Sequence, residues 1–148
     1  MRNIDILNLA KADVFSVSAN TLEAAHAYKV VKFKGAIRKA LVSIEEANAE
    51  IAKEANIEDV KEFDRELNSL RQTGRDPGRL AILEKKLSQL DKLRAAMYKD
   101  DAKLDGVKTI PYDQFFALQK ENKELPHRPL EAFADILEGV LWEVPETA

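Results

Sequence analysis

Residues 20–56 read NTLEAAHAYKVVKFKGAIRKALVSIEEANAEIAKEAN. Apolar side chains recur in this stretch every seven positions, with further apolar positions between them: Val30, Phe33, Ile37, Ala40, Ile44, Ala47 and Ile51. The spacing predicts one long amphipathic helix of about 50 Å, capped by Asn20 with Glu23 three residues later. Such a helix overhangs an ordinary globule of this size. Part of its apolar seam is therefore expected to pack on a second long helix or on another chain.

The next two helices are predicted from the same periodicity. One carries a stripe formed by Val60, Phe63, Leu67 and Leu70. It follows Asn56 and Asp59, which repeat the cap pattern, and whether Asn56 breaks the long helix or only bends it stays open. Residues 72–78, QTGRDPG, predict a turn because they combine a glycine, an aspartate cap and a proline at the first helical position. The helix beyond the turn, expected to end near Gly106, carries a seam formed by Leu80, Leu83, Leu87, Leu90 and Met97.

The two ends of the chain show weaker patterns. Alternating apolar residues over 4–9 predict a short strand, and residues 140–144 predict a second strand that could pair with it. Pro111 is expected to open a short helix, residues 125–129 to interrupt it, and Pro129 to start a last helix closed by Gly139. Aromatic side chains gather here, and core packing is expected to explain them, with a partner-docking patch as the alternative: Tyr112, Phe115, Phe116, Phe133 and Trp142.

These patterns predict a mainly α protein forming a single helical domain over residues 1–148. Its architecture is expected to be a long helical hairpin or bundle with shorter C-terminal helices, leaving room for a small two-stranded sheet that pairs the N- and C-terminal segments. Hydrophobic residues make up 45% and charged residues 33%, which favours amphipathic helices over a β protein. The chain contains no cysteine, no recognisable signal peptide and no apolar run of about 20 residues. A cytoplasmic protein with no membrane partner is expected.

The sequence offers one weak pattern for metal chemistry. Glu23 with His26, and Glu124 with His127, repeat a spacing that can present carboxylate and imidazole to a di-iron centre in a helix bundle. Pro126 lies inside the second copy, so that pair is not expected to share a helix face. No phosphate-binding glycine loop or nucleophile motif is present. We therefore predict no catalytic, cofactor-binding or metal-binding residues and no cofactor, and a small carboxylate-histidine metalloenzyme is kept only as an alternative.

Charge is unevenly distributed along the long helix. Its first half is rich in basic residues, namely Lys29, Lys32, Lys34, Arg38 and Lys39, and its second half is rich in glutamate. An antiparallel second copy would pair the basic half with the acidic half, whereas a solvated face is the simpler interpretation. A nucleic-acid-associated regulator using the basic half is a further alternative. It is disfavoured because the net charge is −3, the acidic half repels phosphates, and Tyr28 and Phe33 resemble packing residues.

The favoured function is a non-enzymatic helical protein that binds a protein partner or a second copy of itself. The predicted seam for this contact consists of Val30, Phe33, Ile37, Ile44, Ile51, Leu80, Leu83, Leu87 and Leu90.

The chain also resembles a group of small tailed-phage and prophage proteins of unassigned function. The similarity rests on residues 27–32, AYKVVK, leading to Ile37 and Leu41, then on Glu62-Phe63 with Glu66-Leu67, and on residues 130–141. It covers about half of the chain. The resemblance implies a phage or prophage origin, an accessory part in virion assembly or its control, and a location in the host cytoplasm or with the virion. It carries no catalytic residues to transfer.

Overall fold

The computed structural model describes residues 1–145 and confirms the mainly α prediction. The helices, in chain order, are α1 (Asn3–Lys11), α2 (Ala24–Glu54), α3 (Val60–Thr73), α4 (Pro77–Lys99), α5 (Tyr112–Glu121), α6 (Pro129–Ala132) and α7 (Ala134–Leu137). A short 3-10 turn at Val14–Ser16 follows α1. Within residues 1–145, no helix is both long and apolar enough to cross a lipid bilayer.

The chain divides into two compact units. Unit 1 comprises Met1–Val42 and the described part of Asp101–Ala148, and unit 2 comprises Ser43–Asp100. Helix α2 contributes to both units, because the boundary falls after Val42. The single-domain expectation stays a prediction.

The predicted strand over residues 4–9 is wrong, because this segment lies within α1. Ile6 and Leu9 are three positions apart, so they share one helix face, and both are fully buried. The backbone N–H of Arg2 donates to Asp5 Oδ2 at 2.9 Å, which closes the N-terminal end of the helix. Burial of one helical face therefore outweighs the β-type alternation of the sequence.

The predicted two-stranded sheet between the chain ends is also wrong for the described residues. Residues 4–9 satisfy their backbone hydrogen bonds within α1, and the preceding Arg2 forms an isolated antiparallel bridge with Asp101 rather than with the C-terminal segment. Trp142 instead forms isolated bridges with Ile110 and Glu138. Its indole stacks on the ring of Phe115, with centroids 3.6 Å apart, and both side chains are buried. The C-terminal segment is thus anchored to α5 rather than to the N-terminus.

Helix α2 is continuous over 31 residues but begins later than predicted. The carbonyl of Glu23 accepts the N–H groups of His26 and Ala27, so Asn20 is not the N-cap. At the other end Asn56 adopts a left-handed backbone with φ of 58°, which ends the helical path. The Asp59 side chain then caps α3 by accepting the N–H groups of Lys61 and Glu62. Asn56 therefore breaks the long helix rather than bending it.

The turn predicted over residues 72–78 is confirmed. Gly74 ends α3 with φ of 62°, a conformation that glycine adopts without strain. Asp76 then accepts the N–H of Arg79, and Pro77 opens α4. The resulting hairpin packs around Phe63, Leu67, Leu83 and Leu90, all buried. Helix α4 ends at Lys99, short of the predicted Gly106.

Paired charges join the two helices of this hairpin. Arg71 donates two hydrogen bonds to Glu84, both at 2.8 Å, and Arg79 donates two to Glu66 at 2.7 and 3.3 Å. These hydrogen bonds lower the pKa of Glu84 and of Glu66. Each bidentate pair requires one relative position of two long side chains, so together the pairs favour a single register of the α3–α4 hairpin.

Candidate functional site

The predicted partner seam lies mostly in the interior of the chain. Buried members are Val30, Phe33, Ile37, Ile44, Leu83 and Leu90, whereas Ile51, Leu80 and Leu87 are half-buried. The chain's own residues therefore cover most of the apolar surface that the seam would offer to a partner. Self-association through these residues stays a prediction.

The two Glu-x-x-His pairs are not organised as a metal site. Glu23 is exposed just before α2, and Glu124 and His127 are exposed in the turn between α5 and α6. Across residues 1–145 no group of three or more His, Cys, Asp or Glu side chains could hold a metal ion. The described chain thus offers no ligand set for the metalloenzyme alternative.

Tyr28 and Phe33 occupy opposite environments on α2. Phe33 is 1% exposed, as expected for a packing residue, but Tyr28 is 60% exposed. The interpretation of Tyr28 as a packing residue is therefore wrong. Val31 is also exposed, so the outer face of the basic half of α2 carries apolar surface between its lysines.

A cleft beside α5 combines exposed aromatic surface with positive charge. It has a volume of about 400 Å³, and we call it the aromatic–basic cleft; its walls are formed by Phe116, Gln119, Lys120, Asn122, Lys123, Arg128, Pro129, Leu130 and Glu131. Phe116 is 53% exposed, and Tyr112 packs edge-on against it with ring centroids 4.9 Å apart. Arg128 Nη1 lies 3.6 Å from the Glu131 carboxylate, the only acidic side chain in the wall. The cleft therefore presents an apolar surface flanked by a net positive charge.

The spacing of residues along α5 explains why the helix has an exposed aromatic face. Phe115 and Leu118 point inward and are buried, which leaves Tyr112 and Phe116 on the outside at positions four apart. The sequence expectation of core packing holds for Phe115 and Trp142 but not for Tyr112 and Phe116, which are exposed. Arg128, which also lines the cleft, has a left-handed backbone with φ of 39°, a conformation that costs a non-glycine residue energy.

Two neighbouring residues at the end of α5 hold the loop that precedes α2. The Asn122 amide is buried, accepts the N–H of Ser18 at 2.7 Å and donates to the carbonyls of Ser18 and Leu118. The Glu121 carboxylate accepts the hydroxyls of Ser18 and Thr21 and the N–H groups of Asn20 and Thr21. This clamp fixes α5, and with it one wall of the aromatic–basic cleft, against the 18–21 loop.

Glu121 is expected to make the clamp sensitive to acid. Partial burial raises the pKa of Glu121, but hydrogen bonds from Thr21, Ser18 and Asn20 outweigh burial and lower the pKa below its ordinary value of 4.5. The ionised carboxylate therefore stabilises the fold fully above pH 4.5, and this contribution is lost as the pH falls through the lower folded-state pKa. Glu121→Gln is expected to cost about 1 kcal/mol at pH 7, a modest value because solvent screens the site.

Urea denaturation at a series of pH values measures this effect. The stability difference between wild type and Glu121→Gln is expected to shrink toward zero below pH 4.5. Glu124→Gln is the matched control, since Glu124 is exposed and makes no such hydrogen bonds. A difference that stays constant with pH would show that the carboxylate charge contributes nothing.

Comparison with known proteins gives no match from which a function could be assigned to the aromatic–basic cleft. No protein-family model matches the chain, and no curated protein and no solved structure matches it.

Three basic residues of the cleft are not among the residues predicted from sequence: Lys120, Lys123 and Arg128. Spacing would have indicated part of the site, because Phe116, Lys120 and Lys123 follow one another at intervals of four and three. Arg128 does not follow this helical spacing, since it lies in the turn after α5.

Proposed function

We propose that this chain is a non-enzymatic helical interaction protein that binds an acidic segment of a partner protein in the aromatic–basic cleft. The observation that carries the proposal is the exposed ring of Phe116 in a concave surface beside Lys120, Lys123 and Arg128. Exposed aromatic residues and arginine are the residue types that contribute most binding energy at protein interfaces. The one carboxylate in the wall already faces Arg128, which leaves the two lysines to attract a negatively charged segment.

The expected complex uses two kinds of contact. An apolar side chain of the partner packs on Phe116 and the edge of Tyr112, and carboxylates on either side of it pair with Lys120 and Lys123. The apolar contact supplies most of the affinity, whereas the charges supply attraction at a distance and orientation. Binding should therefore weaken with added salt without disappearing.

A labelled Glu- and Asp-rich peptide with one central Trp tests the proposal by fluorescence anisotropy with the full chain. Phe116→Ala is expected to weaken binding at least about ten-fold, as for a central interface residue. Tyr28→Ala is the matched control, because it removes an aromatic ring of similar exposure outside the cleft. Equal affinity of the Phe116 and Tyr28 variants, or equal binding of a peptide in which Lys replaces every acid, would reject the cleft as the site.

A second copy of the chain is the other molecule that could bind in the aromatic–basic cleft. Sedimentation velocity at increasing concentration distinguishes the two, because a self-binding cleft produces a dimer that Phe116→Ala dissociates. A dimer of this kind would replace the partner peptide in the proposal, whereas the expected result is that Phe116→Ala leaves the oligomeric state of the chain unchanged.

We further propose that this binding serves an accessory part in virion assembly or its control, in the host cytoplasm or with the virion. Only the resemblance to tailed-phage and prophage proteins supports this step, and it rests on residues 27–32 with Ile37 and Leu41, on Glu62-Phe63 with Glu66-Leu67, and on residues 130–141. The neighbouring genes test it: head or tail genes on either side are expected, and a neighbourhood without phage genes would contradict it.

A further inference from the structure

A second cleft in unit 1 is lined by lysines. It has a volume of about 290 Å³, and we call it the lysine cleft; its lining residues are Ala25, Tyr28, Lys29, Lys32, Gly106 and Lys108. None of them belongs to the aromatic–basic cleft. Two come from the loop between α4 and α5, and the others come from the first turns of α2.

The lining of the lysine cleft has positive charge and no compensating acid. Three of its residues carry ammonium groups, and none is an aspartate or glutamate. Among residues 1–145, none forms an ion pair with Lys29, Lys32 or Lys108. Like charges gathered at one concave surface repel one another, and a bound anion removes that repulsion. The cleft is therefore electrostatically suited to an anionic group.

One of the three lysines is held in place by the backbone. Lys29 Nζ donates to the carbonyl of Thr109 at 3.2 Å, in a partly buried hydrogen bond. This contact joins α2 to the loop that carries Gly106 and Lys108. The bond uses one of the three ammonium donors, so two remain for a ligand. The Lys29 side chain thus lines the cleft and also connects its two walls, α2 and the loop between α4 and α5.

An aromatic ring lies at the edge of this charge. Tyr28 is 60% exposed, and Lys32 Nζ lies over one face of its ring, 5.6 Å from the ring centre, which leaves the other face for a base. Proteins that bind single-stranded nucleic acids combine such features, since lysines pair with phosphates and aromatic rings stack on bases. Small-molecule clefts start at about 300 Å³, so this one suits a phosphate with its sugar while the base lies outside on Tyr28.

The geometry points to the lysine cleft as a nucleotide-binding site, in which Lys29, Lys32 and Lys108 hold the phosphate and the Tyr28 ring stacks on the base. The nucleotide is either free or part of a single strand, because both present the same phosphate and base. This site is separate from the proposed partner-binding cleft, and neither depends on the other.

Isothermal titration calorimetry of the full chain with adenosine 5′-monophosphate tests the site. Binding is expected to weaken about ten-fold or more in Tyr28→Ala, whereas Tyr28→Phe retains the ring and the affinity. Lys32→Gln and Lys108→Gln are each expected to weaken binding several-fold, and Lys123→Gln, in the other cleft, leaves it unchanged. Circular dichroism confirms that each variant folds.

Three further ligands complete the test. Adenosine without phosphate is expected to bind much more weakly than the monophosphate, and inorganic phosphate more weakly because it cannot stack. A short oligoadenylate that binds more tightly than the monophosphate, with affinity falling as salt rises, would identify the single strand as the source. Equal affinity for adenosine and its monophosphate, or no loss in the lysine variants, would overturn the proposal.

Discussion

Replacing Phe33 by alanine is expected to lower the free energy of unfolding by about 3–5 kcal/mol, because Phe33 is 1% exposed and its removal leaves a cavity that close-packed neighbours cannot fill. Trp142, the only tryptophan, lies in the same compact unit and stacks on Phe115, so its fluorescence reports the unfolding of unit 1. Urea denaturation followed by this signal should show a lower midpoint with an unchanged slope.

Tyr28→Ala is the matched control for this change. It removes an aromatic ring from the same helix, but Tyr28 is 60% exposed, so the expected loss is within about 0.5 kcal/mol. Equal losses of stability in the two variants would mean that Phe33 does not lie on a buried face of α2 or that Tyr28 does not lie on an exposed one. The comparison also separates stability from ligand binding, since only Tyr28 is expected to affect nucleotide affinity.

Asn122→Ala is expected to cost about 2–4 kcal/mol, the largest effect among the polar residues. The change leaves the N–H and carbonyl of Ser18 without the side chain that satisfies them in a partly buried loop. Leu118 also loses its additional hydrogen bond from the Asn122 amide. Because an unpaired buried polar group bears its full desolvation cost, this loss should exceed that of an ordinary surface hydrogen bond.

Two variants examine the chemistry of the Asn122 site. Asn122→Asp keeps the acceptor for the Ser18 N–H but loses both donors, so its carboxylate faces two carbonyls. This variant should therefore also be less stable than wild type. The loss of stability should be smaller at acidic pH, where the carboxylate is protonated and can donate a hydrogen bond. Asn20→Ala, in the loop that Asn122 holds, is the control, since only the backbone N–H of Asn20 takes part in the clamp. A stable Asn122→Ala protein would show that the loop does not need this amide.

Two predictions near the start of the chain are wrong because contacts with distant residues, which a short local pattern does not contain, decide the structure there. Residues 4–9 alternate like a strand, but Ile6 and Leu9 also fit a helical face, and six residues cannot distinguish the two patterns. Asn20 and Glu23 have the chemistry of a capping box, yet Glu121, about a hundred residues away in sequence, accepts the Asn20 N–H that Glu23 would accept in that motif. A local pattern cannot report such a competitor.

The helical framework of the chain follows from local sequence patterns. Periodic apolar residues define α2, α3 and α4, and Gly74, Asp76 and Pro77 define the turn between the last two, because propensity and capping act within a few residues. Which side chains remain exposed does not follow from local patterns, because it depends on how distant segments pack. Tyr28 and Phe116 look like core residues in sequence, but burial depends on which faces other segments cover, and that depends on contacts between residues far apart in the chain.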